Sequence, residues 1–125
     1  MKTPARKKAA IPKEQRELLD NILREGKVCC LTGAGVSAES GIPTFRGREG
    51  LWEKYDPQIY ATAEGLTYAI RQNPKTLANF MRDFYSMLLK AKPNAAHLAL
   101  SALEKEGSIT CLITQNIDNL HQQAG

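Results

Sequence analysis

The run Val28-Cys29-Cys30-Leu31-Thr32 ends directly on Gly33-Ala34-Gly35. A short, continuous apolar run of strand formers is the pattern of a strand buried on both faces of a parallel sheet. The seven residues Thr32-Gly33-Ala34-Gly35-Val36-Ser37-Ala38 contain G-x-G-x-x-G/A, with Ala38 in the third place. Gly33 permits a tight turn. Gly35 lets backbone N–H groups approach a pyrophosphate, and the N-terminus of the helix that follows adds partial positive charge. A small residue at Ala38 lets that helix lie close to the strand. A purely structural glycine turn fits the same residues. A P-loop does not, because no lysine follows at the required spacing. Glu53 and Asp56 fall near the distance of a ribose-binding acid, but they sit in a loop beside Trp52 and Pro57 and are not assigned that role.

The remaining elements follow from periodicity. Leu18, Leu19, Ile22 and Leu23 share one face of a helix that Gly26 stops. Gly41 and Pro43 must end any helix opened after Gly35, and the rest of 33–60 reads as a long functional loop. Thr62 caps a helix to about Gln72, closed by Asn73-Pro74. Leu77, Phe80, Met81, Phe84, Tyr85 and Leu88 form an amphipathic stripe facing a core. Pro93-Asn94 starts a helix with Ala95, Leu98, Ala99, Ala102 and Leu103 inward, ended by Gly107. Ile109-Thr110-Cys111-Leu112-Ile113-Thr114 is a second buried strand.

In an open parallel sheet, ligands bind beyond the carboxyl ends of the strands. Gln115, Asn116, Asp118 and His121 fall just past the second strand, as the glycine turn falls past the first. Two adjacent strands bring both sets to one crevice. Asp118 and His121, three apart, lie on one side of a helical turn. His121 carries an imidazole, the side-chain type that suits a general base. Asn116 both donates and accepts, and can position a hydroxyl or a water. His97 reads as a structural hydrogen-bonding residue. Ile42-Pro43-Thr44-Phe45-Arg46-Gly47 suits a lid, with an arginine for phosphate and a ring that shields a reactive centre.

Charge and cysteines narrow the setting. The chain of 125 residues has a formal charge of +4. Residues 1–13 hold Lys2, Arg6, Lys7, Lys8 and Lys13 and no acid, which leaves 12 basic against 13 acidic residues elsewhere. The excess belongs to a basic, flexible tail, and nucleic acid is not an expected partner. Cys29, Cys30 and Cys111 form no C-x-x-C and read as buried, reduced thiols of a cytoplasmic protein. No apolar run is long enough for a membrane span and no signal core stands at the N-terminus.

The motifs together are far more specific than each alone. G-A-G-V-S-A-E-S-G-I-P-T-F-R-G at 33–47 resembles the cofactor loop of sirtuins, the NAD-dependent protein lysine deacylases. K-P-N-A-A-H at 92–97 and T-Q-N-I-D-N-L-H-Q-Q-A-G at 114–125 resemble that family's next two signatures, in order. The resemblance covers about 14–125. It implies that Gly33, Ala34, Gly35 and Ala38 bind NAD from the turn. Phe45 covers the nicotinamide ribose and Arg46 meets the phosphates. Gln115 touches the ribose, and Ile117 and Asp118 hold the carboxamide. Asn116 orders the ribose and a water, and His121 is the general base on a ribose hydroxyl. In the family reaction the acyl oxygen of an acyl-lysine attacks the ribose carbon that loses nicotinamide. An alkylimidate forms, and its breakdown gives lysine and O-acyl-ADP-ribose.

The resemblance also sets expectations about what is missing. The fold is α/β, the N-terminal part of a Rossmann-like parallel sheet with a helical insertion, incomplete in this chain. Residues 14–125 are the N-terminal portion of a sirtuin catalytic domain. The zinc-binding cysteine pairs of a full-length relative are absent, as is the second half of the sheet. Little deacylase activity is expected from the 125 residues alone. The alternative is a non-catalytic NAD- or protein-binding fragment. Tyr85 is followed by Leu88 where succinyl- and malonyl-removing members have arginine. Thr44 stands where many deacetylases have Asp and points the other way. The missing charge partner weighs more, so a neutral acyl group is expected.

Overall fold

The computed structural model describes residues 10–44 and 50–125. It is an α/β arrangement in which a helical insertion separates two parallel strands, as the sequence implies. Helix α1 spans Lys13–Arg24 and is followed by Gly26 at φ 64°, a left-handed turn that favours glycine. Strand β1, Val28–Thr32, runs into a 3₁₀ helix, Ala34–Ser40, that Gly41 ends at φ 86°. Next come α2 (Leu51–Lys54), α3 (Pro57–Tyr60), α4 (Ala63–Gln72), α5 (Pro74–Lys90) and α6 (Ala95–Lys105). Strand β2, Ile109–Thr114, and α7, Leu120–Ala124, complete the order.

Side-chain caps explain the insertion's boundaries. Thr62 Oγ1 accepts from the Gly65 N–H at 3.0 Å, and Asn73 Oδ1 from the Thr76 N–H at 3.1 Å. The loop expected over 33–60 is more structured than its glycines and prolines suggest. Asp56 accepts from the Gln58 N–H at 2.9 Å and Pro57 opens α3, so Asp56 is a helix cap. Trp52, Tyr55 and Phe80 are buried together against Leu77, Phe84 and Tyr60, which anchors α2 and α3 on α5. A second buried cluster joins Ile42, Ala91 and Leu120, with Met87 and Leu88 against it.

Several apolar faces stand open, contrary to expectation. Met81 and Tyr85, assigned to the core stripe of α5, are exposed. Ala95, Leu98, Ala99 and Ala102 of α6 are exposed, and the inward face carries His97 and Ser101 instead. The strands are parallel but not buried on both faces: Leu31 is 64% and Ile113 52% exposed. Cys29 and Cys111 are exposed and Cys30 is half-buried, which corrects the expectation of buried thiols. The physical reason is shared. Apolar periodicity marks a face that can be covered, and a two-stranded sheet with one helical layer covers only part of such faces.

Candidate functional site

The two strand ends lie level. Thr32 pairs with Thr114, and the Gln115 N–H donates to the Thr32 carbonyl at 3.1 Å. The glycine turn and the 115–119 loop therefore leave the sheet side by side. Asn116 joins them. Its Nδ2 donates to the Gly33 carbonyl and to Ser37 Oγ, each at 3.1 Å, while its backbone N–H donates to Thr114 Oγ1 at 3.1 Å.

Ser37, fully buried, is the hub of the site. Its hydroxyl donates to Asp118 Oδ2 at 2.6 Å and accepts from Asn116. Asp118 Oδ1 accepts the Leu120 N–H at 3.0 Å. His97 Nδ1 accepts the Asn94 N–H at 3.2 Å, which places the ring proton on Nε2, 3.4 Å from Ser37 Oγ. His97 is thus neutral. Burial, with the His121 ring beside it, holds its pKa below the ordinary imidazole value, and the Asp118 carboxylate opposes that shift. Asn94 caps α6 with its side-chain oxygen and donates through Nδ2 to the Val36 carbonyl at 2.7 Å and to Ser40 Oγ at 3.0 Å. Sequence reasoning did not place Ser37 and Asn94 in the site. Asn94 could have been found as an N-cap with His three residues on; Ser37 carries no such signal.

His121 Nε2 lies 2.9 Å from Thr32 Oγ1, and its ring centroid is 4.7 Å from that of His97. Asp118 and His121 do not share a helical face, as their spacing suggested. Asn119 takes a left-handed conformation at φ 58°, and α7 begins only at Leu120. Asp118 therefore turns inward to Ser37 while His121 reaches back to β1. Leu120, fully buried between them in sequence, anchors the loop against Ile42 and Ala91.

His121 and His97 face one pocket, with Ser101, Leu112 and Gln122, whereas Asn116 and Asp118 of this network line a separate cleft open to solvent. The glycine turn and loop supply Ala34, Gln115, Asn116, Ile117 and Asp118, and the insertion supplies Trp52, Phe84, Met87 and Leu88. Ile42 and Pro43 complete its wall. Ile117 is 75% exposed there. A Cβ built on Gly35 meets nothing within 4 Å, so the space its bare backbone leaves is not filled by any of the described residues. Ala38 is exposed on the 3₁₀ helix, so its small size is not what seats that helix; the residue facing inward is Ser37. Phe45 and Arg46 lie outside the described residues. Among the described residues no three His, Cys, Asp or Glu side chains converge as a metal site, and no helix is long and apolar enough to cross a membrane.

This geometry has close counterparts. The chain is 48% identical over 104 residues to an NAD-dependent protein deacylase of Pyrococcus furiosus, covering 83% of this chain and 40% of that one. It is 45% identical over 112 residues to NAD-dependent protein deacylase 2 of Archaeoglobus fulgidus, covering 90% and 42%. Among solved structures it superposes on a Sir2 homolog–NAD complex with a TM-score of 0.71 and 43% identity, over 88% of this chain and 41% of that one. It also superposes on Sir2 bound to acetylated peptide with a TM-score of 0.68 and 38% identity, over 89% and 41%. The chain thus spans about two fifths of the length of these relatives. The model of the Sir2 family matches residues 33–125, from the first glycine of the turn to the end of α7, and the chain belongs to that family.

Proposed function

We propose that this chain carries the NAD-binding and catalytic front of an NAD-dependent protein lysine deacylase, and that its 125 residues alone turn over little substrate. One observation carries the reading. The glycine turn and the 115–121 loop converge at the same end of the parallel pair, held together by Asn116, Ser37 and Asp118. The names of the relatives and the NAD and acetyl-peptide complexes of the neighbours support it.

The residues present fit NAD. Gly33, Ala34, Gly35 and Ala38 offer a turn with open space outside Gly35. Phe45 and Arg46 would cover the ribose and meet the phosphates. Gln115 and Asn116 line the cleft and would meet ribose hydroxyls, and Ile117 and Asp118 would meet the carboxamide. Asp118 keeps acceptor capacity, since Ser37 and the Leu120 N–H engage one lone pair on each oxygen. Bound NAD would supply the ribose carbon that accepts the acyl oxygen when nicotinamide leaves. His121 then takes a proton from a ribose hydroxyl, and Thr32 holds its ring in place.

The partner is an acyl-lysine protein. Leu88, which lines the cleft, offers no charge to a carboxylate-bearing acyl chain, so the acyl group is neutral. Residues 14–125 form the N-terminal portion of the catalytic domain, and a near-neutral body speaks for protein over nucleic acid as substrate. Free thiols fit a cytoplasmic setting.

The test is a graft. Residues 33–125 replace the matching segment of the Pyrococcus furiosus relative, and nicotinamide release is measured with NAD and an acetyl-lysine peptide. The graft is expected to turn over, and its His121→Ala form is not. A graft that binds NAD without turnover would support the binding-fragment reading instead. Robust, His121-dependent release by the 125-residue chain itself would overturn the expectation of low activity.

A further inference from the structure

The pairing of β1 with β2 is irregular at its start. Val28 stands opposite Ile109, but Cys29 stands opposite Cys111. Thr110 is the extra residue, and its Oγ1 donates to the Val28 carbonyl at 3.3 Å. Without that bulge, Cys29 would face Thr110 and Cys111 would face Cys30. The bulge therefore selects which of two adjacent cysteines meets the third. It also sets the face. Cys29 and Cys111 lie on the exposed side of the sheet with Leu31 and Ile113, whereas Cys30 points to the other side.

We propose that Cys29 and Cys111 form a dithiol site on the open face of the parallel pair, which a small-molecule disulfide closes to an intramolecular disulfide, leaving Cys30 out. In-register residues on neighbouring strands are about 4.8 Å apart. A disulfide accepts Cα separations of about 4.4–6.8 Å, so closure needs side-chain rotation and no strand movement. The neighbouring Cys29 thiol pushes the Cys111 thiol up, with desolvation and the nearby Glu104 carboxylate adding to that shift.

The chemistry balances as thiol–disulfide exchange. The Cys29 thiolate attacks one sulfur of the small disulfide and expels the other as a thiolate. Cys111 then loses its proton and attacks the Cys29 sulfur, expelling the second small thiolate. The protein loses two protons and two electrons, and the small disulfide becomes two thiols. The closed bond would tie the strands three residues before Thr32 and Thr114, the pair whose alignment brings the two loops of the site together.

The experiment uses the whole chain, reduced and then exposed to oxidised glutathione. Titratable thiols are expected to fall from three to one, and peptide mapping is expected to link Cys29 with Cys111. Cys30→Ala should close equally well. Cys29→Ala and Cys111→Ala should stop at a mixed disulfide with glutathione. In concentrated urea, where register is lost, Cys111 should pair with Cys29 and Cys30 alike. Three thiols retained under native conditions, a native link between Cys30 and Cys111, or disulfides only between separate chains would each overturn the proposal.

Discussion

Thr32 and His121 are joined by a 2.9 Å hydrogen bond between side chains 89 residues apart in sequence. Thr32 is the last residue of β1 and His121 lies in the first turn of α7. The contact exists because β1 and β2 end level and the left-handed Asn119 turns the chain back over β1. It fixes the ring of the histidine proposed above as the base.

In a protein carrying this segment within the full length of its relatives, His121→Ala is expected to abolish turnover and leave NAD binding largely intact. Thr32→Val, which keeps shape and loses the hydroxyl, should lower kcat about fivefold with KM for NAD little changed. That is the effect of losing one hydrogen bond of about 1 kcal/mol. Steady-state kinetics and NAD titration check both. Collapse of NAD binding in His121→Ala would show a cofactor ligand in place of a base.

Ser37→Ala tests the hub. The change removes the donor to Asp118 Oδ2 and an acceptor of Asn116, with Ser37 and Asp118 buried. The buried Asp118 oxygen left without its donor costs about 1–3 kcal/mol, while Asn116 keeps its bond to the Gly33 carbonyl. Urea unfolding followed by the fluorescence of Trp52 should show that loss. An unchanged midpoint would mean that solvent already supplies these partners.

His97 makes stability depend on pH. Its folded-state pKa is lowered from 6.5 by burial and by the neighbouring His121, so the unfolded chain binds the proton more readily. The contribution is present above about pH 6.5 and is lost as pH falls through the lower folded-state value. Unfolding midpoints should drop over that range in the wild type. His97→Gln, which cannot gain the proton, should flatten the same part of the curve.

Gly65→Ala separates helix propensity from packing. Alanine favours a helix interior by about 1 kcal/mol. Here, however, a Cβ on Gly65 would stand 2.3 Å from the Ile59 carbonyl oxygen and 2.5 Å from that of Gln58. Both are backbone atoms of α3, which must then move away from α4. Overpacking of this kind costs about 1–3 kcal/mol, so net destabilisation is expected in thermal melts.

Much was legible in the residues because it depends on local chemistry. The glycine stops at Gly26 and Gly41, the cap Thr62, the helix end at Asn73-Pro74, and the strands before Gly33 and Gln115 all follow from short-range preferences. The short helices at Leu51–Lys54 and Pro57–Tyr60 were not legible. They are held by burial of Trp52 and Tyr55 against Phe80, a partner well along the chain. Ser37 escaped for the same reason, since its partners His97, Asn116 and Asp118 come from two distant segments.

By itself, the sequence determined the parallel α/β plan, the family, and the two loops that carry the candidate chemistry. Spacing and residue type suffice for these, because strand, turn and cap preferences act within a few residues. Only the tertiary structure decided which side chains face one another. It sent Asp118 to Ser37 and His121 to Thr32, although the two are close in sequence. It also set Cys29, and not Cys30, opposite Cys111. One left-handed residue and one bulge made those choices, and each shifts every side chain that follows to a different face.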